Sequence, residues 1–308
     1  MSLTSHYHVI IVGGGPAGLS AALLLGLARR RVLVIDAGHP RSAVAPVSHG
    51  FLTRDNVPPG DIRSAAREQL RAYPNVEIID DTVVDASTHG WILSVGTAKG
   101  QIHRARKLLL AGGVADALPA IPGLAECWGT SIFPCPYCHA WEYRDKPLAY
   151  LGNNPGVFRT LAVLRSWSSD VVLLTNGAPQ IDFNERTLLH KNRVPLFDQT
   201  IARFEHAAGQ LTRVVFDNNT HLARQAILYH PPAAVTSDLP ERLGLIENGV
   251  FRVNPQTAQT ANPNVYVAGD LVGMFAPSIL SAAVYSGSFT ARHVNEDLSI
   301  EDFTASVH

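Results

Sequence analysis

Cysteine is scarce in this sequence. Only three of its 308 residues are cysteines, namely Cys127, Cys135 and Cys138. This number excludes a disulfide scaffold, so the fold must rest on hydrophobic cores, for which a hydrophobic content of 46% is ample. The length leaves room for about two domains of ~150 residues each. Cys135 and Cys138 form a C-x-x-C pair, which is redox-active, metal-bound or incidental.

A dominant charge and a long apolar segment are also lacking. The 25 basic and 26 acidic residues give a formal net charge of -1, which argues against a nucleic-acid partner. The start of the chain, MSLTSHYH, has no cationic stretch followed by a signal core, and glycines from Gly13 onward interrupt the apolar run that begins at Val9. We therefore predict a cytoplasmic protein with no membrane partner, whose thiols are kept reduced.

A strand, a glycine turn, a helix and a second strand are indicated by residues 8–36, HVIIVGGGPAGLSAALLLGLARRRVLVID. The glycines stand in G-x-G-x-x-G spacing directly after the first strand, and an acid closes the second. This pattern predicts a dinucleotide whose pyrophosphate faces the start of the helix and whose ribose hydroxyls bind the acid. The acid also argues against a 2'-phosphate. The predicted binding residues are Gly13, Gly15, Pro16, Ala17, Gly18 and Asp36.

A second nucleotide-related motif lies near the end of the chain, in residues 264–287, NVYVAGDLVGMFAPSILSAAVYSG. A strand leads into Gly269 and Asp270, and a helix is predicted over residues 278–287. The stretch resembles the terminal FAD motif of two-dinucleotide-domain disulfide reductases. The resemblance implies that Asp270 binds the ribityl chain and that the helix points its start, with Ile279, at the isoalloxazine. FAD is therefore the expected cofactor.

The order of motifs along nearly the whole chain is similar to that of low-molecular-weight thioredoxin reductases. Residues 107–123, KLLLAGGVADALPAIPG, resemble the strand and turn at the exit from their FAD domain, with Ala111 and Gly112 as expected cofactor contacts. The resemblance implies an α/β fold of two Rossmann-like domains, the FAD domain being discontinuous, and a homodimer. We predict the FAD domain over 1–117 and 245–308 and an insertion with the C-x-x-C pair over 118–244.

The C-x-x-C pair fits this family. Two cysteines at i and i+3 share one side of a helical turn and can close a disulfide, and Pro136 suits the first position of that turn. A zinc site would need two further ligands, and no second C-x-x-C or H-x-x-x-H is present, so no metal is expected. The resemblance implies that Cys138 lies against the flavin and that Cys135 exchanges with the external thiol or disulfide.

The residue after the pair departs from thioredoxin reductases, which usually have an aspartate there. Residues 135–142, CPYCHAWE, resemble instead the C-P-x-C-H-G-x-E stretch of dithiol oxidases, with Ala140 in place of the glycine. His139 can take a thiol proton near neutral pH, and Glu142, one turn further on, is expected to orient its imidazole. This chemistry favours the oxidation of a dithiol.

The second nucleotide-like pattern is degraded. Residues 147–177, PLAYLGNNPGVFRTLAVLRSWSSDVVLLTNG, repeat the strand, turn, helix and strand, but Asn154 and Val157 stand where small residues are required, and a neutral run follows Leu174. We therefore predict that NADPH binding is lost. Some relatives hold a second flavin or another group in this place. Candidate rings for such a pocket are Trp141, Tyr143 and Trp167, each of which is also compatible with packing.

These observations predict an FAD-dependent thiol-disulfide oxidoreductase that does not use NADPH. Its expected partner is a small dithiol or a thioredoxin-like protein. A reductase supplied through a divergent NADPH site, ferredoxin or a second flavin is one alternative, and a non-enzymatic redox sensor is another. Residues 49–61, HGFLTRDNVPPGD, resemble the loop that crosses the flavin in these proteins, so the stretch from His49 to Leu52 either contacts the ring or belongs to an ordinary surface loop.

Overall fold

The structure is a computed structural model that describes residues 7–247, 250–273 and 279–305. Helices and strands alternate through most of the chain, as the sequence predicts. In chain order the elements are β1 Tyr7–Val12, α1 Pro16–Leu27, β2 Val32–Asp36, α2 Pro59–Leu70, β3 Val76–Asp80, β4 Val83–His89, β5 Ile92–Thr97, β6 Ile102–Leu110, β7 Val114–Asp116, α3 Leu124–Cys127, β8 Ile132–Phe133, α4 Pro136–His139, β9 Leu148–Leu151, α5 Val157–Leu164, β10 Val171–Leu174, α6 Phe183–Lys191, β11 Leu196–Phe197, β12 Ile201–Ala207, β13 Gln210–Phe216, β14 His221–Ala223, β15 Ala226–Tyr229, β16 Ala233–Val235, α7 Leu239–Arg242, β17 Ile246–Glu247, β18 Val250–Phe251, β19 Val265–Val267 and α8 Leu280–Ala305. Single 3-10 turns span Arg41–Val44, Ala140–Tyr143 and Gly269–Val272.

The chain divides into two compact units, each with its own sheet. The first unit draws on Met1–Ala43, Pro59–Ala115 and Ala234–His308, and the second on Val44–Pro58 and Asp116–Ala233.

This division differs from the predicted domain limits at residues 44–58, 116–117 and 234–244. Residues 44–58 group with the second unit because Val44 packs closely on Gly129, and because His49 bonds to Glu142. Residues 234–244 group with the first unit because Leu239 is buried in its core.

In the first unit, β3, β2, β1, β6 and β19 lie side by side in parallel. The antiparallel strands β5 and β4 extend the sheet from the first half of β6, while the second half of β6 pairs with β19. Strands β1 and β2 are almost entirely buried, which explains why they appear in the sequence as continuous apolar runs. Because β1, β2, β6 and β19 are parallel, the turns that follow them lie at one edge of the sheet.

Helices α1 and α8 pack closely on each other in the first unit. A Cβ at Gly287 would lie 2.0 Å from the Ala17 carbonyl oxygen, so glycine permits this approach. The prediction that the terminal helix ends at Gly287 was wrong, because the helix spans Leu280–Ala305. Helix α8 continues to Ala305, with Ala291, Val294 and Leu298 buried at helical spacing. The predicted first residue, Ser278, lies outside the described residues.

In the second unit, β11, β10, β9, β15 and β8 form a parallel sheet. Alternate residues of β9 face opposite cores: Leu148 and Tyr150 belong to one apolar cluster, and Ala149 and Leu151 to another. A separate antiparallel sheet is formed by β12, β13 and β14. The second unit therefore repeats the strand, helix and strand order predicted for residues 147–177.

No helix in the described ranges is long and apolar enough to cross a membrane.

Candidate active site and cofactor site

The glycine turn after β1 has the geometry that its spacing predicts. Gly13 has a φ of +105°, and a Cβ there would lie 2.4 Å from the Ala111 carbonyl oxygen. A Cβ at Gly18 would lie 1.9 Å from the Gly13 carbonyl oxygen. These two glycines are therefore required by close backbone contacts. Ala111 and Gly112 follow β6 and form the other side of the turn.

The start of α1 is open beside this turn. Gly15 is the N-cap residue, no side chain caps the helix, and Pro16 occupies its first turn. A Cβ at Gly15 would meet no atom within 4 Å. The first N-H groups of a helix attract anions because they lack partners within the helix. The space in front of Gly15 thus fits the predicted pyrophosphate.

The acid at the end of β2 is buried and held by arginines. Asp36 accepts hydrogen bonds from the Gly38 N-H at 3.0 Å, from Arg67 at 3.1 Å, and from Arg63, whose Nε also reaches the Gly14 carbonyl oxygen at 3.2 Å. Burial alone would raise the pKa of Asp36, but its hydrogen bonds, led by that from Arg63, lower it overall. Asp36 is therefore charged and fixed in orientation, as a ribose acceptor requires.

Sequence reasoning missed these two arginines. Arg63 and Arg67 stand four residues apart on α2, a spacing that places them on one face of a helix. They line a cavity of about 660 Å³ beside Asp36, large enough for a nucleoside. The spacing could have indicated that the two arginines bind the same partner. It could not have indicated that the partner is Asp36, because Asp36 lies 27 residues before Arg63 in the sequence.

The predicted FAD residues near the end of the chain also lie in the first unit. Gly269 has a φ of +72°, and its N-H donates to the Ser286 hydroxyl at 2.9 Å. Asp270 accepts a hydrogen bond from Arg41 at 2.9 Å. Ile279 directly precedes α8 and accepts from the Ala283 N-H through its carbonyl oxygen. The turns after β6 and β19 follow adjacent parallel strands, so these residues gather at the edge that carries the glycine turn.

The C-x-x-C pair forms a short helical turn in the second unit. Cys135 is the N-cap of α4, and Pro136 occupies its first turn as predicted. The Cys138 N-H donates to the Cys135 carbonyl oxygen at 3.3 Å. Cys135 is 5% exposed and Cys138 is half-buried, so exposure alone does not favour Cys135 as the externally exchanging sulfur.

His139 ends α4 with its imidazole stacked on Phe133, the ring centres being 5.2 Å apart. Nδ1 lies 3.3 Å from the Cys135 carbonyl oxygen. A carbonyl can only accept, so Nδ1 carries the proton and Nε2 of the neutral ring has a free lone pair. Burial lowers the pKa of His139. Nε2 is buried and has no hydrogen-bond partner within the described part of the chain, so its lone pair is not used by another protein group.

The hydrogen bond of Glu142 differs from the one we expected. Its carboxylate binds Nε2 of His49 at 2.6 Å, and Nδ1 of the same ring contacts Asp55 at 3.2 Å. Burial alone would lower the pKa of His49, but the hydrogen bonds to Glu142 and Asp55 raise it overall. Glu142 therefore orients His49. Sequence reasoning missed this pair because the partners are 93 residues apart.

The turn after β9 is bridged by side chains. The Asn153 amide donates to the Ala178 carbonyl oxygen at 3.0 Å and accepts from the Gln180 N-H at 2.6 Å. A Cβ at Gly152 would lie 2.5 Å from the Tyr150 ring, so this ring lies close against the turn. The loops that follow β9 and β10 are thus tied together by protein groups.

The three rings proposed for a second ligand have different environments. Tyr143 is buried beside Phe133, with ring centres 5.9 Å apart, and its hydroxyl donates to Gln210. Trp141 is exposed and lies under the Arg144 guanidinium at 4.4 Å. Trp167 packs edge-on against Tyr137 at 5.2 Å. Packing accounts for Tyr143, and the second flavin stays a prediction.

Among the described residues, no three His, Cys, Asp or Glu side chains are grouped to hold a metal ion.

Known proteins resemble the chain over nearly its full length. The family model described as "Pyridine nucleotide-disulphide oxidoreductase" matches residues 7–287. The "Probable thioredoxin reductase" of Arthroderma benhamiae is 31% identical over 300 residues, covering 86% of this chain and 74% of that protein.

Two solved structures agree with the fold. The crystal structure of HlmI is 31% identical, covers 100% of this chain and 98% of its own, and has a TM-score of 0.92. That of an oxidoreductase from Agrobacterium tumefaciens is 31% identical, covers 96% and 99%, and has a TM-score of 0.88. The predicted pair of Rossmann-like domains is confirmed. The chain belongs to the pyridine nucleotide-disulphide oxidoreductase family, as an FAD-dependent disulfide oxidoreductase similar to thioredoxin reductases.

Proposed function

We propose that this protein is an FAD-dependent dithiol oxidase that takes no electrons from NADPH. The observation that carries the proposal is the free, buried Nε2 of His139 on the C-x-x-C turn. Only a thiolate attacks a disulfide efficiently, so oxidation of a dithiol begins with the loss of a thiol proton. A neutral imidazole beside the redox pair can accept that proton.

The reaction balances as a disulfide exchange. A substrate thiol gives its proton to His139, and its thiolate attacks one sulfur of the Cys135–Cys138 disulfide, forming a mixed disulfide and releasing the other cysteine. The released cysteine thiolate takes the proton from His139, which then accepts the proton of the second substrate thiol. The second substrate thiolate attacks the mixed disulfide, and the cysteine that leaves takes this proton, so the substrate leaves oxidised and the pair remains as a dithiol. FAD, when bound, supplies the two-electron acceptor that restores the disulfide, and oxygen or another acceptor finally takes the electrons.

The second unit supports independence from NADPH. Thr175, Asn176, Gly177, Ala178 and Pro179 follow β10 and offer no basic side chain for a 2'-phosphate. The turn after β9 is bound to this loop by Asn153. Each missing charge-assisted contact is worth roughly 1.5–3 kcal/mol, so the loss of two weakens binding by about 10² or more.

Anaerobic stopped-flow absorbance of the oxidised flavin tests the proposal. Dithiothreitol, as a small dithiol, should bleach the flavin readily, whereas sub-millimolar NADPH should be at least about 10²-fold slower. Rapid bleaching by NADPH would establish the reductase alternative. If neither reagent bleached the flavin, the result would favour the non-enzymatic redox sensor. The Cys135→Ser/Cys138→Ser double variant, which keeps the cofactor site, controls for direct reduction by the dithiol.

The roles of the two cysteines can be separated by trapping. We propose that Cys135 exchanges with the substrate, so the Cys135 thiolate of Cys138→Ser should attack glutathione disulfide, release one glutathione thiolate and accumulate as a mixed disulfide, whereas Cys135→Ser should not. Mass spectrometry of the intact protein measures the adduct. The reverse pattern would assign external exchange to the more exposed Cys138. The small dithiol or thioredoxin-like substrate, the homodimer and the cytoplasmic location stay predictions.

A further inference from the structure

In the second unit, a side-chain carboxylate lies at the start of α5. The helix begins after Gly156, whose φ is +97°. Glu185, on the neighbouring helix α6, accepts hydrogen bonds through Oε1 from the Gly156 N-H at 2.9 Å and from the Phe158 N-H at 3.4 Å. A carboxylate from elsewhere in the unit thus binds the N-H groups that begin α5.

This location is where a Rossmann-type unit binds phosphate. The first N-H groups of the helix lack partners within it, and the helix dipole favours negative charge there. In the strand-turn-helix fingerprint, the pyrophosphate lies against these groups. Helix α5 follows β9 through such a turn, so Glu185 occupies the corresponding position with its own negative charge.

The anchoring of Glu185 shows that this contact is built into the fold. Asp182 caps α6 by accepting from the Glu185 N-H at 2.8 Å. The spacing Asp182-x-x-Glu185 is that of a capping box, in which the glutamate bonds back to its own N-cap residue. Here the glutamate side chain instead reaches the neighbouring helix. Its second oxygen, Oε2, is buried without a hydrogen-bond partner among the described residues.

We infer that Glu185 is a specificity-determining residue that excludes pyrophosphate-bearing nucleotides from the second unit. It does so by occupying the N-H groups of α5 and by repelling a second anion. The inference rests on the proposed independence from NADPH and supplies a residue that maintains it. An incoming phosphate would have to displace a carboxylate that the N-H groups already stabilise.

Direct binding of inorganic pyrophosphate to the FAD-loaded protein tests this role. Isothermal titration should show that Glu185→Ala, which vacates the position, binds pyrophosphate at least about tenfold more tightly than the wild type. Glu185→Gln keeps the size and an acceptor oxygen but removes the charge, and it should bind with intermediate affinity. Glu68→Gln, at an exposed ion pair on α2, changes the net charge equally and should bind as the wild type does.

The outcomes separate this inference from the proposed function. Equal pyrophosphate affinity of the wild type, Glu185→Ala and Glu185→Gln would overturn the role of Glu185, even if NADPH still fails to bleach the wild-type flavin. Bleaching of the wild-type flavin by NADPH would overturn the proposed function. The pyrophosphate titrations would still test whether Glu185 excludes pyrophosphate. If Glu185→Ala does not fold, the isosteric Glu185→Gln decides alone: an unchanged affinity rejects the inference.

Discussion

The two units use the same strand, turn and helix, but the start of the helix is open in one unit and occupied by a side chain in the other. In the first unit, α1 begins at a bare Gly15 with open space in front of it. In the second unit, α5 begins at Gly156, and its first N-H groups are already bound by Glu185. Both helices present the same backbone donors. The difference lies in whether a side chain from elsewhere already satisfies those donors.

The units also divide the chemistry between them. The first unit gathers the residues expected to hold FAD around the turns after β1, β2, β6 and β19. The second has a degraded nucleotide turn and carries the C-x-x-C pair with His139. Under the proposed function, the second unit contributes the reacting sulfurs without binding a nucleotide. The following three predictions test this division.

The largest effect is expected in the second unit, at His139. His139→Gln keeps an N-H that can donate to the Cys135 carbonyl oxygen but cannot accept a proton, so kcat/KM for a dithiol should fall by about 10²–10⁴. The pKa of His139 is lowered from 6.5 by burial, so wild-type activity should persist at neutral pH and fall as the pH drops through that lowered pKa.

Steady-state oxidation rates across the pH range measure this prediction. The His139→Gln variant should lose the fall in rate at acidic pH. A variant that had only lost structure would instead be slower at every pH. His190→Gln, at an exposed histidine on α6 of the same unit, should keep both rate and profile. An unchanged acidic limb in His139→Gln would show that another group accepts the proton.

The next effect is expected at the open helix start of the first unit. Gly15 has a φ of -76°, which alanine adopts freely, and an added Cβ meets no protein atom within 4 Å. Gly15→Ala should therefore fold normally yet bind FAD about 10² times more weakly, because the methyl group blocks the approach of the pyrophosphate.

Flavin fluorescence titration of the apoprotein measures this affinity, and thermal unfolding of the apoprotein checks the fold. Asn154→Ala, in the corresponding turn of the second unit, should leave FAD affinity within about twofold of wild type. Equal loss in both variants would remove the functional distinction between the two turns.

The smallest effect is expected at the Asp55–His49–Glu142 cluster. The pKa of His49 is raised above 6.5 by its carboxylate partners, so its stabilising contribution is fully present below about 6.5 and is lost as the pH rises through the raised pKa. Because the cluster is partly exposed, we expect His49→Gln to reduce the free energy of unfolding by about 1 kcal/mol or less under acidic conditions.

Thermal unfolding of both proteins at about pH 5.5 and about pH 9 measures this difference. The gap between wild type and His49→Gln should narrow at the higher pH, whereas the control His221→Gln, at an exposed position of β14, should show no such trend. A gap that widens with pH would mean that neutral His49 is the stabilising form.

Local patterns predicted the features that depend on residues close in sequence. The glycine spacing predicted the turn at Gly13 and Gly18, and Pro136 was correctly placed in the first turn of α4. The end of α8 was missed because Gly287 resembles a helix stop when its contact with Ala17 is not known. The partner of Glu142 was missed for the same reason, since His49 is distant in sequence.

By itself, the sequence determined the family, the FAD fingerprint and the redox pair, because these depend on backbone conformations and spacings within short segments. Only the tertiary structure decided which side chains satisfy those segments. The spacing of Asp182 and Glu185 is that of a local capping box, yet the folded chain brings Glu185 to α5 instead. A hydrogen bond forms with whichever donor the packing brings within reach, and packing is a property of the whole chain.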